Sequence, residues 1–214
     1  MVAGYSMGAQ QAFQWAVSYP EIVQRIAAWC GHARTTPHTY VFLAGLTATL
    51  QSDPAFNGGN YTTQPEQGLR TAARVAAGWP LSQAWYRQEL YKQLGSPTVE
   101  DFLVRFWEGF LLRHDANNLL GHIRTWQTHN VGWSQGFSGD YRRALGSVGA
   151  RAVIMPCQTD LYFPPEDSEV EASCIPKAEL RVIPSIWGHF AGIGMNAVDS
   201  DFIDHHIGEC LAAD

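Results

Sequence analysis

The sequence predicts an α/β protein with a parallel β-sheet and a long helical insertion. Segments that are mostly apolar, as in strands buried on both faces, occur at residues 22–30, 151–157 and 179–184. The stretch from residue 33 to residue 147 shows helical patterns and no strand-like segment. We therefore predict three parts, with core segments at 1–32 and 148–214 and a helical lid at 33–147.

The start of the chain, Gly-Tyr-Ser-Met-Gly at residues 4–8, follows the G-x-S-x-G pattern of a nucleophile elbow. In an elbow a strand turns sharply into a helix, and Gly4 and Gly8 are expected because a Cβ there would meet the neighbouring turn. Apolar residues at helical spacing from 9 to 17 predict the helix. Few residues precede Gly4, so we predict that the strand half is nearly missing. The motif makes Ser6 a candidate nucleophile.

The predicted lid consists of helices separated by segments rich in glycine and proline. We predict helices at 39–50, 68–77, 82–94, 98–111 and 115–126, and a loop at 52–67. The residues from Thr98 to Asp101 form a predicted cap for the fourth of these helices. The aromatic residues of the lid are predicted chiefly to form a core, with the lining of a pocket as the alternative.

The second core segment carries two further candidate residues. Asp160 follows the strand predicted at 151–157, and ligand-facing groups lie at the carboxyl ends of strands in open α/β sheets. His189 lies in a glycine-flanked loop directly after the strand predicted at 179–184. Helices are predicted at 164–174 and 199–211.

The order Ser6, Asp160, His189 is that of the catalytic triad in the α/β-hydrolase fold, which is therefore the fold we predict. A serine hydroxyl is a weak nucleophile, so an imidazole must remove its proton and a carboxylate must orient the imidazole. Asp167 and Glu166 are alternative acids if Asp160 is a turn residue. His189 has seven rivals among the eight histidines of the chain, none in such a loop.

Metal and disulfide sites are not predicted. The four cysteines are far apart, without a C-x-x-C pair, and most lie in apolar segments, which is typical of buried thiols. His205 and His206 in the last predicted helix, and Cys30 with His32 at a strand end, lack the further ligands that a metal site needs. We therefore expect no bound metal and no cofactor.

Composition limits the partners of this protein. Its 214 residues include 14 basic and 20 acidic residues, a net charge of -6 without charged runs. Such a surface does not favour nucleic acid or an anionic membrane, so a small-molecule substrate is expected. No segment has the length of a membrane span and no leader is visible, which with the reduced cysteines predicts a cytoplasmic location.

Several segments together resemble the homoserine O-acetyltransferase family of the α/β-hydrolase superfamily. The similar segments are GYSMGAQQAFQWAVSYP at 4–20, DLYFPP at 160–165, and Asp53-Pro54, Gly58-Gly59-Asn60-Tyr61 and Asp115-Ala116-Asn117 in the lid. The resemblance implies that acetyl-CoA acylates Ser6 and that an alcohol takes the acyl group, with His189 as base and then acid. It also implies an oxyanion donor at the Met7 N–H, and contacts between lids in a homodimer.

Two departures from that family change the expectation. Phe190 follows His189, where the family has an aspartate that holds the amino-acid substrate, so we expect a hydrophobic alcohol or water as acceptor. The family also has a segment before the elbow, with the first strands of the sheet and one oxyanion donor. By comparison this chain resembles a carboxyl-terminal fragment with an incomplete sheet.

The sequence thus supports three hypotheses. The first is acyl transfer to an alcohol by a Ser-His-Asp enzyme, and the second is ester hydrolysis in the same fold, which differs only in the acceptor. The third is a catalytically silent fragment, for which we predict aggregation and little activity when residues 1–214 are expressed alone. Restoring upstream sequence would then restore a reactive serine.

Overall fold

The computed structural model describes residues 1–213 and contains a four-stranded parallel sheet. Its strands are β1 (Val2–Tyr5), β2 (Arg25–Trp29), β3 (Arg151–Met155) and β4 (Ala178–Leu180), in the order β1-β2-β3-β4. Tyr5 lies opposite Trp29, and Trp29 lies opposite Met155, so these three strands end at one edge. The residues that follow the strands are therefore brought together there.

Ten α-helices occur in the described residues. They are α1 (Met7–Ser18), α2 (Pro37–Gln51), α3 (Glu66–Ala77), α4 (Gln83–Arg87), α5 (Val99–Phe102), α6 (Gly109–Leu111), α7 (Ala116–Thr128), α8 (Tyr141–Gly146), α9 (Pro165–Cys174) and α10 (Ala197–Ala212). A π-helical turn, Leu103–Glu108, joins α5 to α6. None of these helices is long and apolar enough to cross a membrane.

The chain divides into two compact units, Met1–Thr35 with His129–Asp214, and Thr36–Thr128. The predicted lid at 33–147 is therefore longer than the second unit. Its last part, from residue 129, belongs to the first unit, where Tyr141, Ala144 and Leu145 of α8 join the core. The apolar pattern of a helix does not show which core the helix enters. The predicted insertion therefore extends beyond Thr128, where the second unit ends.

The first unit is organised around α1, which packs on the sheet through small and apolar side chains. Ala9, Ala12, Phe13 and Ala16 are all nearly fully buried. Alanine lets the helix approach the sheet closely, and burial of a side chain such as Phe13 contributes about 1.5–3 kcal/mol. This packing holds the amino-terminal end of α1, where Ser6 lies, in a fixed place.

Three expectations about the strands need correction. The strand half of the elbow is not missing, because Val2–Tyr5 is a four-residue strand paired along its length with β2. The strand predicted at 22–30 is shorter than expected, since β2 begins at Arg25 and Ile22 is 67% exposed. The strand predicted at 179–184 is also short, with only an isolated bridge at Ile183 beyond β4.

The second unit consists of helices, as predicted, but two of them are interrupted. The helix expected at 82–94 ends at Arg87 because Glu89 adopts a left-handed conformation, with φ 52°. The helix expected at 98–111 begins as predicted, with Asp101 N–H donating to the Thr98 hydroxyl at 3.1 Å. Its middle is the π-helical turn, from which the buried Glu108 pairs with two arginines of α3.

The remaining lid expectations are partly confirmed. The segment predicted as a loop at 52–67 includes a 3₁₀ helix, Pro54–Gly59. Trp85 and Phe102 are fully buried with ring centroids 5.3 Å apart, so these aromatic residues form a core. Trp133, in contrast, is 71% exposed and lies in the first unit.

Candidate active site

Ser6 occupies the turn between β1 and α1. Its backbone has φ 57° and ψ -122°, a region that side chains rarely adopt and that stores strain at functional sites. The turn is held by the Ser6 N–H, which donates to the Trp29 carbonyl at 3.0 Å. The side chain is thereby presented at the carboxyl edge of the sheet.

The two glycines of the motif differ in whether the surrounding structure leaves room for a side chain. A Cβ at Gly4 would lie 2.2 Å from the backbone of Gly8, so only glycine fits at position 4. At Gly8 itself an added Cβ would meet nothing within 4 Å, so the steric expectation for Gly8 was wrong. Gly31, which sequence analysis missed, does need to be glycine, because a Cβ there would lie 2.5 Å from the Ser6 carbonyl oxygen.

His189 approaches Ser6 from a 3₁₀ turn, Gly188–Gly192, after β4. The Ser6 hydroxyl donates to His189 Nε2 at 2.9 Å, a distance suited to proton transfer. The imidazole is buried, and its ring centroid lies 4.7 Å from that of Tyr5, with the two rings tilted by 34°. The predicted convergence of these two side chains is therefore present in the fold.

Asp160 completes the chain of hydrogen bonds. His189 Nδ1–H donates to Asp160 Oδ2 at 2.8 Å, and the carboxylate is almost fully buried. Its other oxygen accepts the N–H groups of Tyr162 at 2.8 Å and Phe163 at 3.2 Å. These donors stabilise the negative charge away from water and fix the carboxylate plane.

The alternative acids are placed elsewhere by the structure. Glu166 and Asp167 belong to the first turn of α9. Asp167 Oδ2 lies 4.0 Å from His32 Nδ1. The geometry therefore selects Asp160 as the partner of His189.

Two aromatic residues that sequence analysis did not single out hold the histidine turn. The Tyr5 hydroxyl donates to the His189 carbonyl at 3.0 Å, and Trp29 Nε1–H donates to the Gly192 carbonyl at 3.0 Å. Only glycine fits at position 192, because a Cβ there would lie 2.4 Å from the Tyr5 ring. Burial raises the pKa of Tyr5, which keeps its hydroxyl a donor. No sequence signal marks these contacts, which join residues far apart in the chain.

The candidate oxyanion donor, the Met7 N–H, lies at the first position of α1. The first N–H groups of a helix have no intrahelical acceptor, and the helix dipole favours negative charge at that end. Met7 directly follows Ser6, which is the position of one oxyanion-hole donor in a nucleophile elbow. The role of Met7 as an oxyanion donor stays a prediction.

The histidine and cysteine groups considered as metal ligands also have defined surroundings. Glu209 is a third possible ligand beside His205 and His206, and the sequence analysis did not recognise it. Each imidazole already pairs with a Glu209 oxygen, at 3.3 and 2.7 Å. The four cysteines are free, and burial raises the pKa of the Cys30 thiol well above its usual range.

Comparison with known proteins identifies proteins that are similar to this chain. A family model described as alpha/beta hydrolase fold matches residues 1–194. A protein named as a probable esterase from Corynebacterium glutamicum is 38% identical over 94% of this chain and 57% of its own length. An ethyl acetate hydrolase from Pseudomonas veronii is 36% identical over 100% of this chain and 61% of its own.

Structural comparison agrees with the sequence comparison. The crystal structure of the acetyl esterase MekB superposes with a TM-score of 0.95 at 34% identity, covering 99% of this chain and 61% of that one. A homoserine O-acetyltransferase from Leifsonia xyli is 31% identical over 99% of this chain and 56% of its own, a lower identity than the two esterases. The chain thus spans about 60% of the length of these relatives.

Proposed function

The chain belongs to the alpha/beta hydrolase fold family, and on that premise we propose that it carries the catalytic site of a hydrolase of small acetyl esters. The observation that carries this proposal is the unbroken chain of hydrogen bonds from Ser6 through His189 to Asp160. The predicted fold class is confirmed by the family match. Among the sequence hypotheses, ester hydrolysis, the second one, has better support than acyl transfer, because the esterases are the more similar relatives.

The proposed reaction has two halves with one covalent intermediate. Ser6 Oγ attacks the ester carbonyl while His189 Nε2 takes the hydroxyl proton, and the Met7 N–H donates to the developing oxyanion. The proton then passes from His189 to the departing alcohol, leaving an acetyl group on Ser6. Water attacks this acetyl-serine while His189 takes its proton, and the bond between Ser6 Oγ and the acyl carbon then breaks as His189 returns the proton to Ser6 Oγ and acetate leaves.

Asp160 acts throughout without exchanging a proton. Its carboxylate fixes the tautomer in which Nδ1 carries hydrogen, so that Nε2 is available as the base. It also stabilises the imidazolium that forms in each half of the reaction. The backbone donors from Tyr162 and Phe163 hold Asp160 in this orientation.

Acyl transfer from acetyl-CoA to an alcohol is the second candidate function, favoured by the similarity to homoserine O-acetyltransferases. It would use the same acetyl-serine, so the difference lies only in the acceptor. Phe190 follows His189 in place of the expected aspartate, which removes a partner for the ammonium group of homoserine. Water or an apolar alcohol is therefore the proposed acceptor. Formation of a homodimer through the helical lid is a separate prediction.

The test compares the two acceptors in one preparation. Acetate release from p-nitrophenyl acetate and ethyl acetate is measured for the protein and for Ser6→Ala, beside release of CoA from acetyl-CoA with and without homoserine. We expect ester turnover that Ser6→Ala abolishes, and labelling of Ser6 by a fluorophosphonate. Turnover that survives in Ser6→Ala would refute the proposed site, and CoA release that depends on homoserine and exceeds hydrolysis would make the protein a transferase.

A further inference from the structure

The segment that carries Asp160 is held from its buried side by two residues outside the triad. His32 comes from the loop after β2, and Glu171 comes from α9. Both side chains are buried, with 1% and 0% of their surface exposed. Burying two titratable groups is unfavourable unless they make specific hydrogen bonds, so their partners show what they hold in place.

His32 makes a directed hydrogen bond to the backbone just beyond the acid. Its Nε2 lies 3.1 Å from the Pro164 carbonyl oxygen, which can only accept, so Nε2 carries the hydrogen. Burial lowers the pKa of His32 to about 3, so the ring is neutral and its Nδ1 is an acceptor. Nδ1 has no hydrogen-bond partner among the described residues. The Pro164 bond therefore determines the tautomer and the orientation of this ring.

The His32 ring also touches the residue that holds Asp160. It meets the Phe163 ring edge-on, with centroids 5.2 Å apart at 88°. Phe163 in turn donates its backbone N–H to Asp160 Oδ1 and places its ring 5.5 Å from that of His189. His32 thus contacts the ring of Phe163 and the carbonyl of its neighbour Pro164, and both contacts constrain the Phe163 backbone.

Glu171 fixes the loop from which His32 projects. Its Oε1 accepts the N–H of Ala33 at 2.7 Å and the hydroxyl of Tyr141 at 2.8 Å. Ala33 follows His32 directly. Two consecutive residues of the loop are therefore hydrogen-bonded to the segment 160–171, His32 to Pro164 and Ala33 to Glu171. The loop and the segment 160–171 are in this way joined by hydrogen bonds.

We propose that His32 is a positioning residue for Asp160, acting through the Pro164 carbonyl and the Phe163 ring, with Glu171 holding the loop that carries it. This inference rests on the proposed function, since it assigns His32 to the same Ser-His-Asp site. Without the bond, the Phe163 N–H shifts and the Asp160 carboxylate loses its alignment with His189 Nδ1. Small displacements of a catalytic group lower the rate of the chemical step more than they lower substrate binding.

Two amide variants provide a matched test. His32→Gln places an N–H donor near the Nε2 position and can reach Pro164, whereas His32→Asn is one methylene shorter and cannot. Both replace the ring by a neutral amide, so their effects on packing are similar. The exposed His205, on α10, is replaced in the control variant His205→Asn.

Three readouts are taken for each variant. They are kcat and KM for p-nitrophenyl acetate across pH 5 to 9, the thermal unfolding midpoint, and the downfield proton resonance of His189 Nδ1–H. We expect His32→Asn to lower kcat by about tenfold or more with KM nearly unchanged, and to weaken or shift the downfield resonance. His32→Gln and His205→Asn should keep kcat within about threefold of the wild type, which is about 0.6 kcal/mol in the barrier.

The outcomes separate this inference from the proposed function. The resonance needs no substrate, so it reports on His32 even if the wild type does not hydrolyse the ester. Equal losses in His32→Gln and His32→Asn, or an unchanged resonance in His32→Asn, would overturn the positioning role. If His32→Asn does not fold, His32→Leu, which has no N–H donor for the Pro164 carbonyl, takes its place, and an unaltered kcat and resonance there would equally overturn the positioning role.

Discussion

Replacement of the buried Glu171 by glutamine should remove a large part of the dependence of stability on pH. The Glu171 carboxyl group is fully buried, and its Oε2 has no partner among the described residues. Burial raises its pKa from 4.5 to about 8, against the opposing effect of the Tyr141 and Ala33 donors. The folded protein therefore keeps a proton on Glu171 at neutral pH.

The sign and size of the effect follow from that proton. Between pH 4.5 and about 8 the folded state holds a proton that the unfolded state has lost, so the free energy of unfolding falls as pH rises through this window. Below pH 4.5 both states are protonated, and above about 8 both are ionised. At about 1.36 kcal/mol per pH unit, the difference amounts to about 5 kcal/mol, comparable with the whole stability of many domains.

Glu171→Gln keeps an oxygen acceptor for Ala33 and Tyr141 but cannot ionise. Denaturant unfolding of the wild type and the variant at pH 5 to 9 should show the variant gaining about 4 kcal/mol relative to the wild type as pH rises, since most of the titration window lies in this range. His32 and His129 have pKa values lowered by burial to about 3 and about 4, so they add the opposite slope below pH 6.5. Both proteins share that slope, and it cancels in the difference.

The exposed Glu169 of the same helix provides the control, since Glu169→Gln should leave the pH dependence unchanged. Parallel stability curves for the wild type and Glu171→Gln would refute the reasoning. They would mean that Glu171 titrates in the folded state near its ordinary value, with water reaching its second oxygen.

Three further predictions concern the site. Asp160→Asn should lower kcat by about 10³–10⁴ with folding retained, because His189 then adopts the wrong tautomer; steady-state kinetics with a circular dichroism control would check this, and an active variant would contradict it. Gly192→Ala should lower both activity and the thermal midpoint because its Cβ would lie 2.4 Å from the Tyr5 ring, whereas Gly208→Ala, with open space, should be neutral or stabilising. Tyr5→Phe should lower the free energy of unfolding by about 1 kcal/mol through loss of the bond to the His189 carbonyl, measured by denaturant titration; an unchanged midpoint would show that water replaces the hydroxyl.

The sequence by itself determined the local features of this protein. The need for glycine at Gly4, the helix after Ser6 and the cap at Thr98 follow from steric and hydrogen-bonding rules that act over a few residues. The apolar segments predicted a buried parallel sheet, and the order Ser6, Asp160, His189 predicted the fold. These inferences needed only spacing along the chain.

Only the tertiary structure decided which distant groups meet. Ser6 and His189 are 183 residues apart, and the bond from His32 to Pro164 spans 132. Nothing in the periodicity near His32 or Tyr5 distinguishes a residue that holds the site from one that merely fills the core. Likewise, the apolar pattern of α8 is the same whichever core receives it, so the end of the insertion could not be read from composition. Side-chain hydrogen bonds between elements depend on how the elements pack, and that packing is decided by the whole chain at once.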